Sequence, residues 1–367
     1  MTGSTSAIAS IDRRALLLAG AAWPLALLAR EPVDYPRIVP RPLVFPRDHG
    51  AHPDYRTEWW YLTGWLDGRA GEKLGLQLTF FRLRTALPPS ASRFAANQLI
   101  IGHTAIASTA RGSLLHEERV QRTGFGLVEA AQDDTDVRID RWGLARDAAR
   151  GEYRATIPAR SFNLELTARP TQPVLLQGRD GFSQKGPLAA QASLYYSQPQ
   201  LALQAKLTMD GATRDLTGVG WLDHEWSSSV LAEDAAGWDW IGMNLDDGTA
   251  LTAFRIRPRD AGPPIHTYAS MRAPGAPPRV FGGDTVVFDP LKQWRSPRTG
   301  AEYPVAQRVR LGDRAFETVP LMTDQELDAR ASTGAVYWEG ASELVEGGRR
   351  VGRGYLEMTG YFAPMKL

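Results

Sequence analysis

The chain has no cysteine. That excludes disulfides, thiolate metal sites, a cysteine nucleophile and a lipid-modified N-terminal cysteine. Net charge is also nearly absent, with 42 basic residues against 41 acidic ones. No basic stripe and no basic run interleaved with aromatics occurs, so the sequence carries no nucleic-acid signature. Past residue 30, no apolar run reaches the roughly 20 residues that a spanning helix needs. Amphipathic helices longer than two turns are missing there as well; only 324–331 reads as a short one. No Gly-x-Ser-x-Gly nucleophile elbow is present. Ser227, Ser228 and Ser229 lie beside His224, but neighbours on a strand seldom serve each other as nucleophile and base. Histidines are few, six in all. His49 and His52 stand three apart in a Pro/Gly loop and read as surface residues rather than a metal pair. His103 sits mid-strand and reads as a hydrogen-bonded barrel residue.

What is abundant is turn and strand material. Thirty-five Gly and 25 Pro punctuate short apolar runs over 367 residues, enough for two domains. Period-two alternation recurs at Leu74-Gly75-Leu76-Gln77-Leu78, Phe162-Leu164-Leu166 and Leu201-Leu203-Ala205-Leu207, which predicts half-buried strands. An internal echo supports duplication. Trp59-Trp60-Tyr61, Asp67-Gly68 and Thr79-Phe80-Phe81-Arg82-Leu83-Arg84 return as Trp238-Asp239-Trp240, Asp247-Gly248 and Thr252-Ala253-Phe254-Arg255-Ile256-Arg257. Each reads as an aromatic strand, an Asp-Gly hairpin and a strand ending in Phe, Arg, apolar, Arg. The expected fold is therefore all-β: two tandem antiparallel β-barrel domains or strongly bent sandwiches. Residues 54–225 and 226–367 are the expected domains, after an extended Pro-rich arm at 31–53. A single continuous β-sandwich is the alternative.

Residues 1–30 read as an export signal. Arg13-Arg14 precedes a moderately apolar run from Ala15 to Ala29, the pattern of the twin-arginine route. A periplasmic or secreted location follows as an expectation.

Four of the eleven tryptophans fall between 221 and 240, around Asp223-His224-Glu225. Ionisable groups among aromatics have their charged forms disfavoured, which suits acid–base chemistry on an apolar substrate. Core filling is the competing account of the same tryptophans. Strand alternation sends His224 to one face and Asp223 and Glu225 to the other.

Glu58-Trp59-Trp60-Tyr61 with Gly64, Trp221-Leu222-Asp223-His224-Glu225-Trp226, Gly237-Trp238-Asp239-Trp240, and Tyr337-Trp338-Glu339-Gly340 with Gly354-Tyr355-Leu356-Glu357 carry a resemblance. Over roughly residues 40–367 the chain resembles the lipocalin-like predicted secreted hydrolase family. That family is related to carotenoid 1,2-hydratases (hydroxyneurosporene synthases) and, more distantly, to fungal Diels–Alderases. The resemblance implies two packed lipocalin-like domains and a pocket for a long apolar molecule. It implies cofactor-free and metal-free hydration: an acid protonates the alkene, a tertiary carbocation forms, and water adds. On this chain the implied acid is Asp223 or Asp239. His224 would hold that acid or take the proton of the incoming water. Trp221, Trp226, Trp238 and Trp240 would line the cavity and face the cation, mirrored by Glu58, Trp59 and Trp60. The implied partner is a small hydrophobic molecule (isoprenoid, polyene or lipid), with a membrane surface or inner-membrane transporter as further partner classes. A non-enzymatic lipophile carrier and a secreted hydrolase are the rival functions.

Overall fold

The computed structural model describes residues 33–365 apart from 70, 88–91 and 93. The export-signal reading lies outside the described residues. Thirteen strands form the first sheet: β1 (Thr57–Asp67), β2 (Lys73–Arg84), β3 (Gln98–Ser108), β4 (Ser113–Arg122), β5 (Val128–Ala130), β6 (Asp136–Ile139), β7 (Trp142–Asp147), β8 (Glu152–Pro158), β9 (Phe162–Pro170), β10 (Leu175–Leu176), β11 (Phe182–Gln184), β12 (Ala192–Met209) and β13 (Ala212–Ser229). Ten form the second: β14 (Ala235–Leu245), β15 (Ala250–Pro258), β16 (His266–Arg272), β17 (Arg279–Gly282), β18 (Val286–Arg295), β19 (Glu302–Leu311), β20 (Arg314–Pro320), β21 (Glu326–Ala329), β22 (Ala335–Glu346) and β23 (Arg349–Met358). Every ladder is antiparallel. Among the described residues there is no α-helix, and no helix long and apolar enough to cross a membrane. The short helix expected at 324–331 is instead strand β21, because 326–329 pairs with β22.

The first sheet runs β4-β3-β2-β1-β13-β12-β9-β8-β7-β6-β5, and its far strands β5 and β6 return against β3 and β4. It is a nearly closed barrel. The second runs β17-β16-β15-β14-β23-β22-β20-β19-β18 and curls into a half-barrel. The two tandem barrel domains expected from the alternation are therefore present. Each hairpin of the echo is real. Gly248 closes the β14–β15 turn at φ +86°, a conformation that favours glycine, and its N–H donates to the Leu245 carbonyl at 3.0 Å.

Alternation gives each sheet two buried faces. Trp60, Leu62 and Leu66 of β1 and Leu222 of β13 fill the first barrel. Ile241, Met243, Leu356 and Met358 fill the second. The other parity, Tyr61, Trp65, Trp221, Trp240 and Tyr355, packs between the sheets. There the sheets approach closely: a Cβ on Gly75 would lie 2.7 Å from both the Ala341 methyl and the Tyr355 hydroxyl. Cross-sheet bonds lock the contact. The Trp65 indole N–H donates to the Gly354 carbonyl at 2.9 Å, and Arg353 forms a bidentate pair with Asp67 at 2.6 and 2.8 Å.

Candidate functional site

Strand β13 divides the candidate residues. His224 and Trp226 point into the first barrel, while Trp221, Asp223 and Glu225 point toward the second sheet. This is the split that alternation predicts, and it keeps His224 off Asp223.

Inside the first barrel, Glu58 on β1 is fully buried and saturated. Its Oε1 faces His52 Nδ1 at 2.7 Å and His224 Nε2 at 2.9 Å. Its Oε2 accepts from the His52 backbone N–H at 2.9 Å and from Arg82 Nε at 2.7 Å. Burial pushes the carboxyl up, but Arg82, His224 and His52 outweigh it and hold Glu58 well below the usual range. Burial pushes His224 down, against the opposing pull of Glu58. Its Nδ1 meets the Tyr196 hydroxyl at 3.3 Å, and that hydroxyl meets His49 Nδ1 at 2.7 Å. Trp60 stacks on His224 at 4.7 Å, and Trp226 stacks on His52 at 3.7 Å and 7°.

His49 and His52 are the clearest correction. They were expected on the surface and are 5 % and 4 % exposed. The arm before β1 folds back over the barrel mouth, with Ile38 packed against the Trp226 cluster. Arg41 clamps Asp48 at 2.7 and 2.9 Å, and Asp48 meets His52 Nε2 at 3.0 Å. The loop is thus pulled inward by charge-assisted bonds, which no apolar pattern announces.

Asp223 occupies the space between the sheets. It is 3 % exposed and accepts three hydrogen bonds: from Tyr195 Oη at 2.7 Å, Ser197 Oγ at 2.5 Å and Trp221 Nε1 at 2.7 Å. Burial outweighs these donors and raises its carboxyl to about 7. Trp240 Nε1 donates to Tyr195 Oη at 3.2 Å, so two indoles and a phenol frame the acid. Next along the face, Glu225 pairs with the buried Lys185 at 3.1 Å, whose ammonium lies 4.1 Å from the Phe254 ring centroid. Trp59 and Trp238 are half-buried on the same interface.

Asp239 is elsewhere. It lies on the opposite face of β14 from Trp238 and Trp240, inside the second barrel. Arg255 holds it at 2.6 Å, Arg257 at 3.2 Å, and Tyr361 Oη donates at 3.0 Å. Asp239 is thus held in a buried ion pair with two guanidiniums, away from the Asp223 space. The predicted residues therefore form three groups: Glu58, Trp60, His224 and Trp226 in one barrel, Asp239 in the other, and Asp223 with Trp59, Trp221, Trp238 and Trp240 between them.

Sequence reasoning gave no role to Tyr195, Lys185, Glu339 or Glu357, all of which reach the central space. Glu339 and Glu357 are register partners on β22 and β23. Burial, and then the neighbouring Glu357, raise Glu339 well above the ordinary range; burial likewise raises Glu357. Their motif residues stood in the sequence, but charged residues on alternating strands read as outward. Ser227 Oγ donates to the Ala192 carbonyl at 2.7 Å and shares no face with His224. His103 matches its expected role, pairing with Tyr337 Oη at 2.7 Å and Ser332 Oγ at 2.8 Å.

The donor atoms of His52, Glu58 and His224 lie within 4.8 Å of one another, a set that could ligate a metal ion. Glu58 nevertheless has all its acceptor positions occupied by N–H groups, one of them the Arg82 cation. We read the group as a hydrogen-bonded network. Two open pockets lie apart from Asp223. One of about 400 Å³ sits at the first barrel's mouth beside Arg82 and Gln98. The larger, about 860 Å³, opens between Phe182, Tyr268 and Phe288. Its Tyr268 packs in the cluster that contains Trp221 and Trp240, so its inner wall borders the Asp223 space.

Comparison with known proteins agrees with this architecture. The sequence model of the AttH-like family matches residues 37–361. The crystal structure of a candidate AttH from Nitrosomonas europaea is 48% identical, with a TM-score of 0.84 over 89% of this chain and 99% of that one. Kievitone hydratase from Nectria haematococca shares the fold at 13% identity, with a TM-score of 0.66 over 86% and 92% of the two chains. CghA does so at 14% identity, with a TM-score of 0.54 over 92% and 97%. No curated protein matches.

Proposed function

The chain belongs to the AttH-like family, and from that premise and the Asp223 site we propose that it adds water across a carbon–carbon double bond of an apolar isoprenoid or lipid. The observation that carries the reading is the Asp223 carboxyl, buried among indoles and raised to about 7. At neutral pH such an acid keeps a proton in reserve and can release it. Asp223 gives that proton to one alkene carbon. The electron pair of the double bond forms the new C–H bond and leaves a carbocation on the more substituted carbon. Trp221 and Trp240 offer π faces to that cation. Water closes the C–O bond and loses a proton. The shared fold of a protein named a hydratase supports the reaction class and says nothing of this chain's substrate.

Export by the twin-arginine-like segment belongs to the same proposal and is checked by fractionating cells that make the full chain. The function itself is tested by mass spectrometry of the protein mixed with acyclic isoprenoids. Gain of one water, lost in Asp223→Asn, supports the hydratase. Bound but unchanged ligand favours a carrier. Cleavage of an ester instead would restore the hydrolase reading.

A further inference from the structure

We propose that Glu339 and Glu357 share one proton across the β22–β23 ladder and form the acceptor for the proton of the attacking water. The inference rests on the hydration reading and assigns its second half. The two residues are directly opposed in the ladder, which puts their Cβ atoms roughly 5 Å apart. Both share the parity of Ala341 and Tyr355, which pack between the sheets, so both face the Asp223 side. Glu339 is 2 % exposed, and neither of its carboxyl oxygens has a hydrogen-bond partner among the described residues. Tyr61 Oη faces it and, like Thr63 Oγ1 and Gln77 Oε1 on the same face, has no hydrogen-bond partner within bonding distance among the described residues. Each such buried group destabilises the fold unless something bonds it. A run of them on one face describes a place built to receive a small polar molecule.

The surroundings fix how the pair is charged. Asp223 and Glu225 face it from β13, Tyr61 from β1 and Tyr195 from β12. Tyr337 and Tyr355 stand beside it on its own strands, with Trp238 from β14. Lys185 is the buried cation of this space, and Glu225 already pairs with it. Two opposed carboxyls with no cation of their own among the described residues hold one proton between them. The ionised member accepts the proton from water as the C–O bond forms. Return of a proton to Asp223 then resets the site, with atoms and charge balanced and no other reactant needed.

The test reads the infrared carbonyl stretch of protonated carboxyl groups in the unliganded full chain at pH 7, and turnover alongside. A band that persists in Asp223→Asn and disappears in the Glu339→Gln/Glu357→Gln double variant is expected. Glu339→Gln alone should lower kcat about 100- to 10,000-fold with KM kept. Absence of the band overturns the shared proton. A band together with wild-type turnover in Glu339→Gln overturns the acceptor role. If wild-type protein binds alkenes without hydrating them, the hydration reading fails, and the band in that sample separates this failure from the loss of the pair.

Discussion

Glu58 and Asp239 hold the same place in the two sheets. Glu58 on β1 stands opposite Arg82 on β2, and Asp239 on β14 stands opposite Arg255 on β15. Each acid points into its own barrel and pairs with that arginine, at 2.7 and 2.6 Å. The duplication suggested by the two Phe-Arg-apolar-Arg strands thus extends to a repeated buried ion pair. The residues around the pair have diverged. In the first barrel His52 and His224 join it; in the second, Arg257 and Tyr361 do.

Asp223→Asn removes the proton donor while keeping a side chain of similar shape. Turnover should fall about 100-fold or more, with ligand affinity close to wild type and the chain still folded. Equal loss of binding and activity would mark Asp223 as structural.

The same variant changes how stability depends on pH. The folded-state value of Asp223 is raised to about 7 from 3.8. The folded protein therefore binds more protons than the unfolded chain between those values, and stability declines as pH rises through the window. The slope is on the order of 1 kcal/mol per pH unit from this group. Asn cannot titrate, so the difference in stability between variant and wild type should shift in favour of the variant from pH 4 to pH 7 in denaturant titrations.

Glu58→Gln should be costly. It leaves the 2 %-exposed Arg82 without its counter-charge, a loss of about 3–5 kcal/mol for a buried pair. Glu58 is held well below 4.5 in the fold. Its contribution is complete above that value and is lost as pH falls toward the folded-state pKa. Acid unfolding monitored by tryptophan fluorescence should accordingly lose its Glu58 component in the variant.

Asp239→Asn should separate stability from chemistry. Arg255 loses its partner, and the second barrel should weaken by about 3 kcal/mol. The Asp223 space lies on the other face of β14, so kcat at a temperature well below the melt should stay within a factor of a few. A large kcat loss without destabilisation would return Asp239 to the list of acids.

Gly75→Val drives a wedge between the sheets, where a Cβ already meets Ala341 and Tyr355 at 2.7 Å. Overpacking of this kind costs about 1–3 kcal/mol, and thermal melts should show it.

The sequence was readable where one physical signal dominated. Period-two runs and the Asp-Gly turns foretold an all-β duplicated fold, and strand parity alone separated His224 from Asp223. It was unreadable where the signal is three-dimensional. His52 sits in a loop with no periodicity, and its burial comes from Asp48 and Glu58 converging on it, with Arg41 clamping Asp48. Asp239 resembles Asp223 in its Trp-rich neighbourhood and differs only in facing two arginines. Glu339 and Glu357 lie 18 positions apart and meet only through the β22–β23 register.

Strand β13 carries this logic into the family's history. It spans Ala212–Ser229, and its two faces serve two unrelated sets of partners. Exchange of one residue for another can reshape the barrel interior without touching the acid, and the reverse. A single inserted or deleted codon within the strand would swap every face at once. Lineages should therefore vary freely in the composition of this strand and hardly at all in its length.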